Sequence, residues 1–229
     1  MKDTKIFCAI DTSDLTLACE LSKQIAPVTG GIKLGLEFFN AFGLSGVERV
    51  MESAPDARLF LDLKFHDIPN TVAGAVRSCC ENFAPAYLNV HAAGGLVMME
   101  SAKAVCGKDT KLLSVTLLTS LDEQAIEEVG YCAGLGERVE QLASLTKSAG
   151  LDGVVCSAHE IKRLRECCGD EFVLMVPGIR PASAAKGDQK RVMTPEEALG
   201  VGATHLVIGR PITGASDPAQ AAADILAGL

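Results

Sequence analysis

Eight short apolar runs recur along the chain, separated by segments with helical periodicity, and that alternation restricts the fold more than any other feature. The runs are 5–10, 31–35, 58–64, 86–91, 112–118, 152–156, 172–176 and 205–209. Strands buried on both faces read as continuous apolar runs, which is the habit of parallel sheets. Between them, Val72, Ala75, Val76, Cys79, Cys80 and Phe83 follow the i, i+3, i+4, i+7 rule of an amphipathic helix. Ser120–Glu123 and Ser157–Glu160 read as capping boxes. Thr194 and Asp217 each precede a proline suited to the first turn of a helix. Eight strand–helix units in 229 residues predict a (β/α)8 TIM barrel, an α/β fold in one domain spanning 1–229. An open doubly wound sheet is the alternative. The barrel is preferred because polar, chemistry-bearing residues recur where most of the strands end.

Composition removes several classes of function. A net charge of −8 argues against a nucleic-acid partner, which calls for a basic face. No apolar run approaches the roughly 18 residues needed to cross a bilayer. The start, MKDTKIFCAID, lacks the apolar stretch and cleavage site of a secretory signal, so a cytoplasmic location is expected. Nine cysteines, an odd number with no CxxC spacing, read as small buried hydrophobes rather than as a disulfide or metal framework. His66, His91, His159 and His205 have no metal-ligand spacing, so no metal is expected.

In a parallel barrel the active face is formed at the C-terminal ends of the strands. The stretch FLDLKFHDIPNT, residues 60–71, places Asp62, Lys64 and Asp67 there. Asp62 and Lys64 are two apart, so a regular strand points both to one side, with Leu61 and Leu63 on the other. Facing the helices, the two charges would be costly to bury, whereas the barrel mouth accommodates them. Lys33 is a lone cation in the apolar run GGIKLG and calls for a carboxylate partner, Asp11 or Asp62. A row Lys33–Asp62–Lys64–Asp67 would alternate in sign and hold each lysine protonated. Such a lysine suits proton donation.

A second cluster is VPGIRP (176–181) with VIGRP (207–211). Loops after strands seven and eight commonly bind phosphate in barrels. Gly209 lets backbone N–H groups approach an anion, and Arg210 can fork onto its oxygens. The polar stretch 183–191 between them suits a lid, with Gln189 its candidate ligand contact.

The run Asp62-Leu-Lys64-Phe-His-Asp67-Ile-Pro-Asn-Thr71 closely resembles the signature of the orotidine 5′-monophosphate decarboxylase family, in its bacterial form. The pattern Asp-x-Lys-x-x-Asp alone is shared with other phosphate-binding barrels. Further pieces follow in order: Ala9-Ile-Asp11, Gly31-Ile-Lys33, Asn89-Val-His91-Ala, Val115-Thr-Leu-Leu-Thr119-Ser, Val176-Pro-Gly-Ile-Arg180 and Gly209-Arg210. The resemblance implies decarboxylation of orotidine 5′-monophosphate to uridine 5′-monophosphate, the last step of de novo UMP synthesis, without metal or organic cofactor. It implies that Lys64 protonates C6 and that Asp62 meets the departing carboxylate. Lys33 and Asp11 would hold ribose hydroxyls. Thr119 would meet the pyrimidine, Pro177 would line the pocket, and Arg180, Gln189, Gly209 and Arg210 would hold the phosphate. It also implies a homodimer in which Asp67, Ile68 and Thr71 reach into the partner's site. Two other readings compete. One is a metal-dependent sugar-phosphate decarboxylase of the same barrel group, against which Lys33 stands, since a cation there repels Mg²⁺. The other is a nucleotide-binding barrel without turnover, which would not require a buried proton donor.

Overall fold

In the computed structural model, which describes residues 4–180 and 193–229, the apolar runs form one closed parallel barrel in the order β1 to β8, with β1 returning to β8. The strands are β1 (Ile6–Ala9), β2 (Gly31–Gly35), β3 (Arg58–Phe65), β4 (Tyr87–His91), β5 (Lys111–Val115), β6 (Gly153–Val155), β7 (Val173–Pro177) and β8 (His205–Ile208). Closure excludes the open doubly wound alternative. Helices α1 (Leu15–Thr29), α2 (Leu36–Ser53), α3 (Pro69–Phe83), α4 (Leu96–Val105) and α5 (Glu123–Glu128) accompany the first half. The second half carries α6 (Leu135–Ser148), α7 (Ile161–Cys168), α8 (Pro195–Gly200), α9 (Arg210–Thr213) and α10 (Pro218–Ala227).

Local signals explain most helix ends. Thr194 and Glu197 form a capping box with the expected Pro195 in the first turn, and Asp217 caps α10 through the Gln220 N–H. Ser157 and Glu160 also form their box, on a 3-10 turn preceding α7. The box expected at Ser120–Glu123 does not form. Asp122 caps α5 instead, accepting from the Ala125 N–H at 3.0 Å. An aspartate is as good a cap as a serine, and starting at Asp122 leaves Ser120 in the preceding turn. Helix α1 stops at Gly30, whose φ of 74° lets its N–H return to the Ala26 carbonyl.

Two apolar layers hold the barrel. The outer layer packs strand residues such as Ile32, Leu34, Leu61 and Leu88 against helix residues such as Val47, Val72, Val76 and Leu142. The inner layer fills the lumen with Phe7, Phe60, Tyr87, Val155, Met175 and Val207, among others. Phe7 meets Tyr87 edge-on at 5.4 Å and Phe60 at 6.1 Å, a favoured aromatic geometry. Two residues further along β1, β3 and β4 the inward-facing positions turn polar: Phe60 gives way to Asp62, Tyr87 to Asn89 and Ala9 to Asp11. The lumen is therefore apolar at the N-terminal end and charged at the C-terminal end. The expectation of buried cysteines holds for four of the nine, whereas Cys132 is exposed and Cys19, Cys80, Cys106 and Cys167 are half-buried. Cys8, Cys79, Cys156 and Cys168 are buried, and burial pushes the Cys8 thiol up to about 12, a poor nucleophile at neutral pH.

Candidate active site

Lys33 is buried in the lumen, with its ammonium 2.7 Å from Asp11 Oδ1 and 3.7 Å from Asp62 Oδ2. It thus takes both carboxylates the sequence offered as partners. Lys64 Nζ reaches Asp62 Oδ1 at 2.6 Å, so Asp62 lies between two ammonium groups. Burial alone would raise the Asp62 carboxyl. Lys33 and Lys64 oppose it, with hydrogen bonds from Lys64 and Asn89, and the net result lies below the ordinary carboxylate range. Asp62 is therefore an anion at neutral pH, paired with both ammonium groups.

Space for this cluster comes from Gly35, which pairs with Asp62 across β2 and β3. A Cβ on Gly35 would lie 2.8 Å from Lys33 Nζ and 3.3 Å from Asp11 Oδ1. A side chain at this position would force the Lys33 ammonium to shift.

The simple alternation that placed Asp62 and Lys64 on one side is modified in the structure. Leu61 and Leu63 do face the helices, as expected. Lys64 itself has φ of 50°, in the left-handed region that is unfavourable for a residue with a Cβ. Here the β3–β4 ladder slips. Leu61 pairs with Leu88 and Phe65 with Val90, four steps on one strand against two on the other. Asn89, fully buried opposite the slip, accepts from the Lys64 N–H at 2.8 Å and donates to Asp62 Oδ1 at 2.7 Å. Asn89 lies in the run Asn89-Val-His91-Ala, whose spacing alone assigns it no role. Its signal was the one that singled out Lys33: a lone polar residue in an apolar strand.

Asp67 does not complete the alternating row within the chain. β3 ends at Phe65, and the Asp67 carboxylate turns back to accept from the Ile68 N–H at 2.6 Å. Asp67, Ile68 and Thr71 are all solvent-exposed, Ile68 by 67%. The rings of His66 and His91 stack at 5.3 Å beside this turn, and the His91 imidazole has a lowered pKa from burial, then from His66 and Lys64.

The remaining sequence-selected residues distribute around the same end of the barrel. Thr119 is exposed in the loop after β5. Pro177 ends β7 and lies in register with Val207 of β8, so the two Gly/Arg turns that follow are neighbours. Arg180 donates its N–H to the Met193 carbonyl at 3.3 Å. The Gly209 carbonyl accepts from the Ile212 and Thr213 N–H groups, and Arg210 opens α9. Gln189 lies outside the described residues, as does the stretch 183–191.

Residues 4–225 match the family model described as Orotidine 5'-phosphate decarboxylase / HUMPS family. The chain belongs to this family. It is 50% identical to the orotidine 5'-phosphate decarboxylase of Rhodospirillum rubrum, covering 97% of this chain and 92% of that one. It is 49% identical to the enzyme of the same name from Sphingopyxis alaskensis, over 98% of both chains. Among solved structures, the orotidine 5'-phosphate decarboxylase of Lactobacillus acidophilus superposes with a TM-score of 0.84 at 36% identity, covering 98% of each chain. An uncharacterized conserved protein from Geobacillus kaustophilus gives 0.81 at 33% identity. The decarboxylase family thus spans the entire barrel, including all four members of the Asp11, Lys33, Asp62 and Lys64 cluster.

Proposed function

We propose that this chain decarboxylates orotidine 5′-monophosphate to uridine 5′-monophosphate and CO2, with Lys64 as the proton donor. The observation that carries the role of Lys64 is the contact of its ammonium with Asp62 at 2.6 Å, at the charged end of the lumen. Loss of CO2 breaks the bond to C6 and leaves the electron pair on that carbon, in an orbital with little π delocalisation. Stabilisation then comes from charge placed beforehand beside the atom. The Lys64 ammonium supplies that field, then passes its proton to C6, and water restores it. Asp62 orients the Lys64 ammonium and faces the carboxylate that departs. Lys33 and Asp11, already paired, meet the ribose hydroxyls. Thr119 and Pro177 border the pyrimidine. Gly209, Arg210, Arg180 and Gln189 receive the phosphate, whose binding energy offsets the cost of organising the charges.

The reaction needs no metal or organic cofactor in this reading. The Lys33 ammonium already occupies the space between the Asp11 and Asp62 carboxylates where a divalent cation would otherwise be drawn. Location in the cytoplasm and a single catalytic domain complete the proposal. Among the described residues, no helix is long and apolar enough to cross a membrane.

Two chains build each site. Exposed Ile68 next to Asp67, on a turn whose carboxylate is not used by Lys64 of the same chain, supports a partner's site as the destination of Asp67, Ile68 and Thr71. Mixing Lys64→Ala with Asp67→Ala subunits tests function and assembly together. Absorbance of orotidine 5′-monophosphate is followed in chelator. Each variant alone is expected to be inactive. After exchange, half of the dimers are mixed and one of their two sites is native, so about a quarter of wild-type activity is expected. No recovery after verified exchange contradicts the shared site, and wild-type activity abolished by chelator contradicts the cofactor-free reaction.

A further inference from the structure

Asn89 is an amide in an apolar strand, and both ends of its side chain are spent on β3. Its Oδ1 takes the Lys64 N–H and its Nδ2 gives to Asp62 Oδ1. The same Asp62 oxygen receives the Lys64 ammonium. The contacts close a ring: Lys64 backbone, Asn89 amide, Asp62 carboxylate, Lys64 side chain. The ring sits where the ladder slips, so the amide takes the Lys64 N–H at the break in strand pairing. It also sits where the backbone of Lys64 is least comfortable. A fully buried amide with both functions used is costly to disturb, and it ties a strained backbone to a specific carboxylate oxygen.

We propose that Asn89 is a positioning residue for decarboxylation: it holds Lys64 in the left-handed turn that aims its ammonium into the lumen, and fixes the Asp62 oxygen to which that ammonium is paired. The inference rests on the role given to Lys64 above. It assigns Asn89 more than repair of a broken ladder, because the amide contacts both the backbone of the proton donor and the anion paired with its ammonium.

Asn89→Asp separates positioning from mere structure. The shape is unchanged and the introduced carboxyl still accepts from the Lys64 N–H. When ionised it has no donor for Asp62 and sets a second negative charge against it. The charged and titratable groups facing this point are Asp62 and Lys64 from β3, Lys33 from β2 and Asp11 from β1, with His66 and His91 at the strand ends. At about pH 8 the variant is expected to lose about 100-fold in kcat, the scale of a 1 Å misplacement, with affinity for uridine 5′-monophosphate within about threefold of wild type. Lowering the pH to about 5.5 is expected to restore at least about tenfold, because a proton shared by the two carboxyls regains the missing donor. Wild type gains nothing on acidification. Asn89→Ala, which loses both contacts for good, is expected to show the kcat loss without acid recovery. Circular dichroism and thermal melting establish that each variant is folded.

A Asn89→Asp protein with wild-type kcat at both pH values overturns the inference, as does a loss in kcat that is equal at both. If Lys64→Ala is inactive in the same assays, such a result falls on Asn89 alone. If Lys64→Ala keeps the wild-type rate, the role of Lys64 fails first and takes this inference with it.

Discussion

Lys64→Ala is expected to lower the rate of decarboxylation by about 10⁴-fold or more, because one side chain supplies both a general acid and a preorganised charge. That factor corresponds to about 5.5 kcal/mol of transition-state stabilisation. The loss should fall on kcat. The phosphate contacts proposed for Arg180, Gln189, Gly209 and Arg210 lie on other loops, so the affinity for uridine 5′-monophosphate should change little. The fold should survive. Lys64 is partly exposed, and its removal leaves Asp62 with the second oxygen still near Lys33 at 3.7 Å and the first still held by Asn89. It also removes a side chain from a backbone with φ of 50° without removing the Cβ, so the local strain persists. Single-turnover kinetics with saturating enzyme would read the chemical step directly. Retention of activity within about tenfold of wild type would show that the proton comes from elsewhere.

Asp62→Asn is expected to have the second largest effect, and it should show in both rate and stability. The amide keeps the shape of the carboxylate and removes the charge shared by Lys33 and Lys64. Activity should fall about 10³-fold or more, since Lys64 loses the anion that orients its ammonium. Stability should fall by about 3 kcal/mol, the lower end for breaking a buried ion pair, because Lys33 keeps Asp11 and Lys64 can reach solvent. The pH dependence has a defined sign. The folded-state pKa of Asp62 is lowered, so its stabilising contribution is present above the unfolded carboxylate value, about pH 4, and disappears as pH falls through the folded value. The difference in stability between wild type and Asp62→Asn should therefore be full at neutral pH and shrink on acidification. Chemical denaturation at a series of pH values measures it. A difference independent of pH would mean that Asp62 is not held as an anion by its two lysines.

Much of this site could be read from residue spacing. Lone charges in apolar runs placed Lys33 and Asp62 in the lumen, because the outer face of each strand is needed for packing against helices. The eight runs gave a parallel sheet covered on both faces, and the polar residues at the strand ends favoured a closed barrel over an open sheet. What escaped has a common physical cause: it depends on how two strands register, which one strand does not encode. The two-residue slip between β3 and β4 bends the chain at Lys64 and creates the need for Asn89. Strict alternation gave the right neighbours for Asp62 and Lys64, although the backbone there is not a regular strand. Asp67 stays out of the row within the chain for a related reason. The strand ends at Phe65, and the next turn carries Asp67 away from Lys64. At Asp122, two competent caps stood two residues apart, and local pattern could not rank them.

The most direct measurement is a crystal structure of the chain with uridine 5′-monophosphate bound. Lys64 Nζ is expected within about 3.5 Å of C6, near-attack distance, with Asp62 still paired to it and the phosphate between the turns after β7 and β8. A Lys64 ammonium directed into bulk water, or a nucleotide bound away from the Asp11, Lys33, Asp62 and Lys64 cluster, would contradict it.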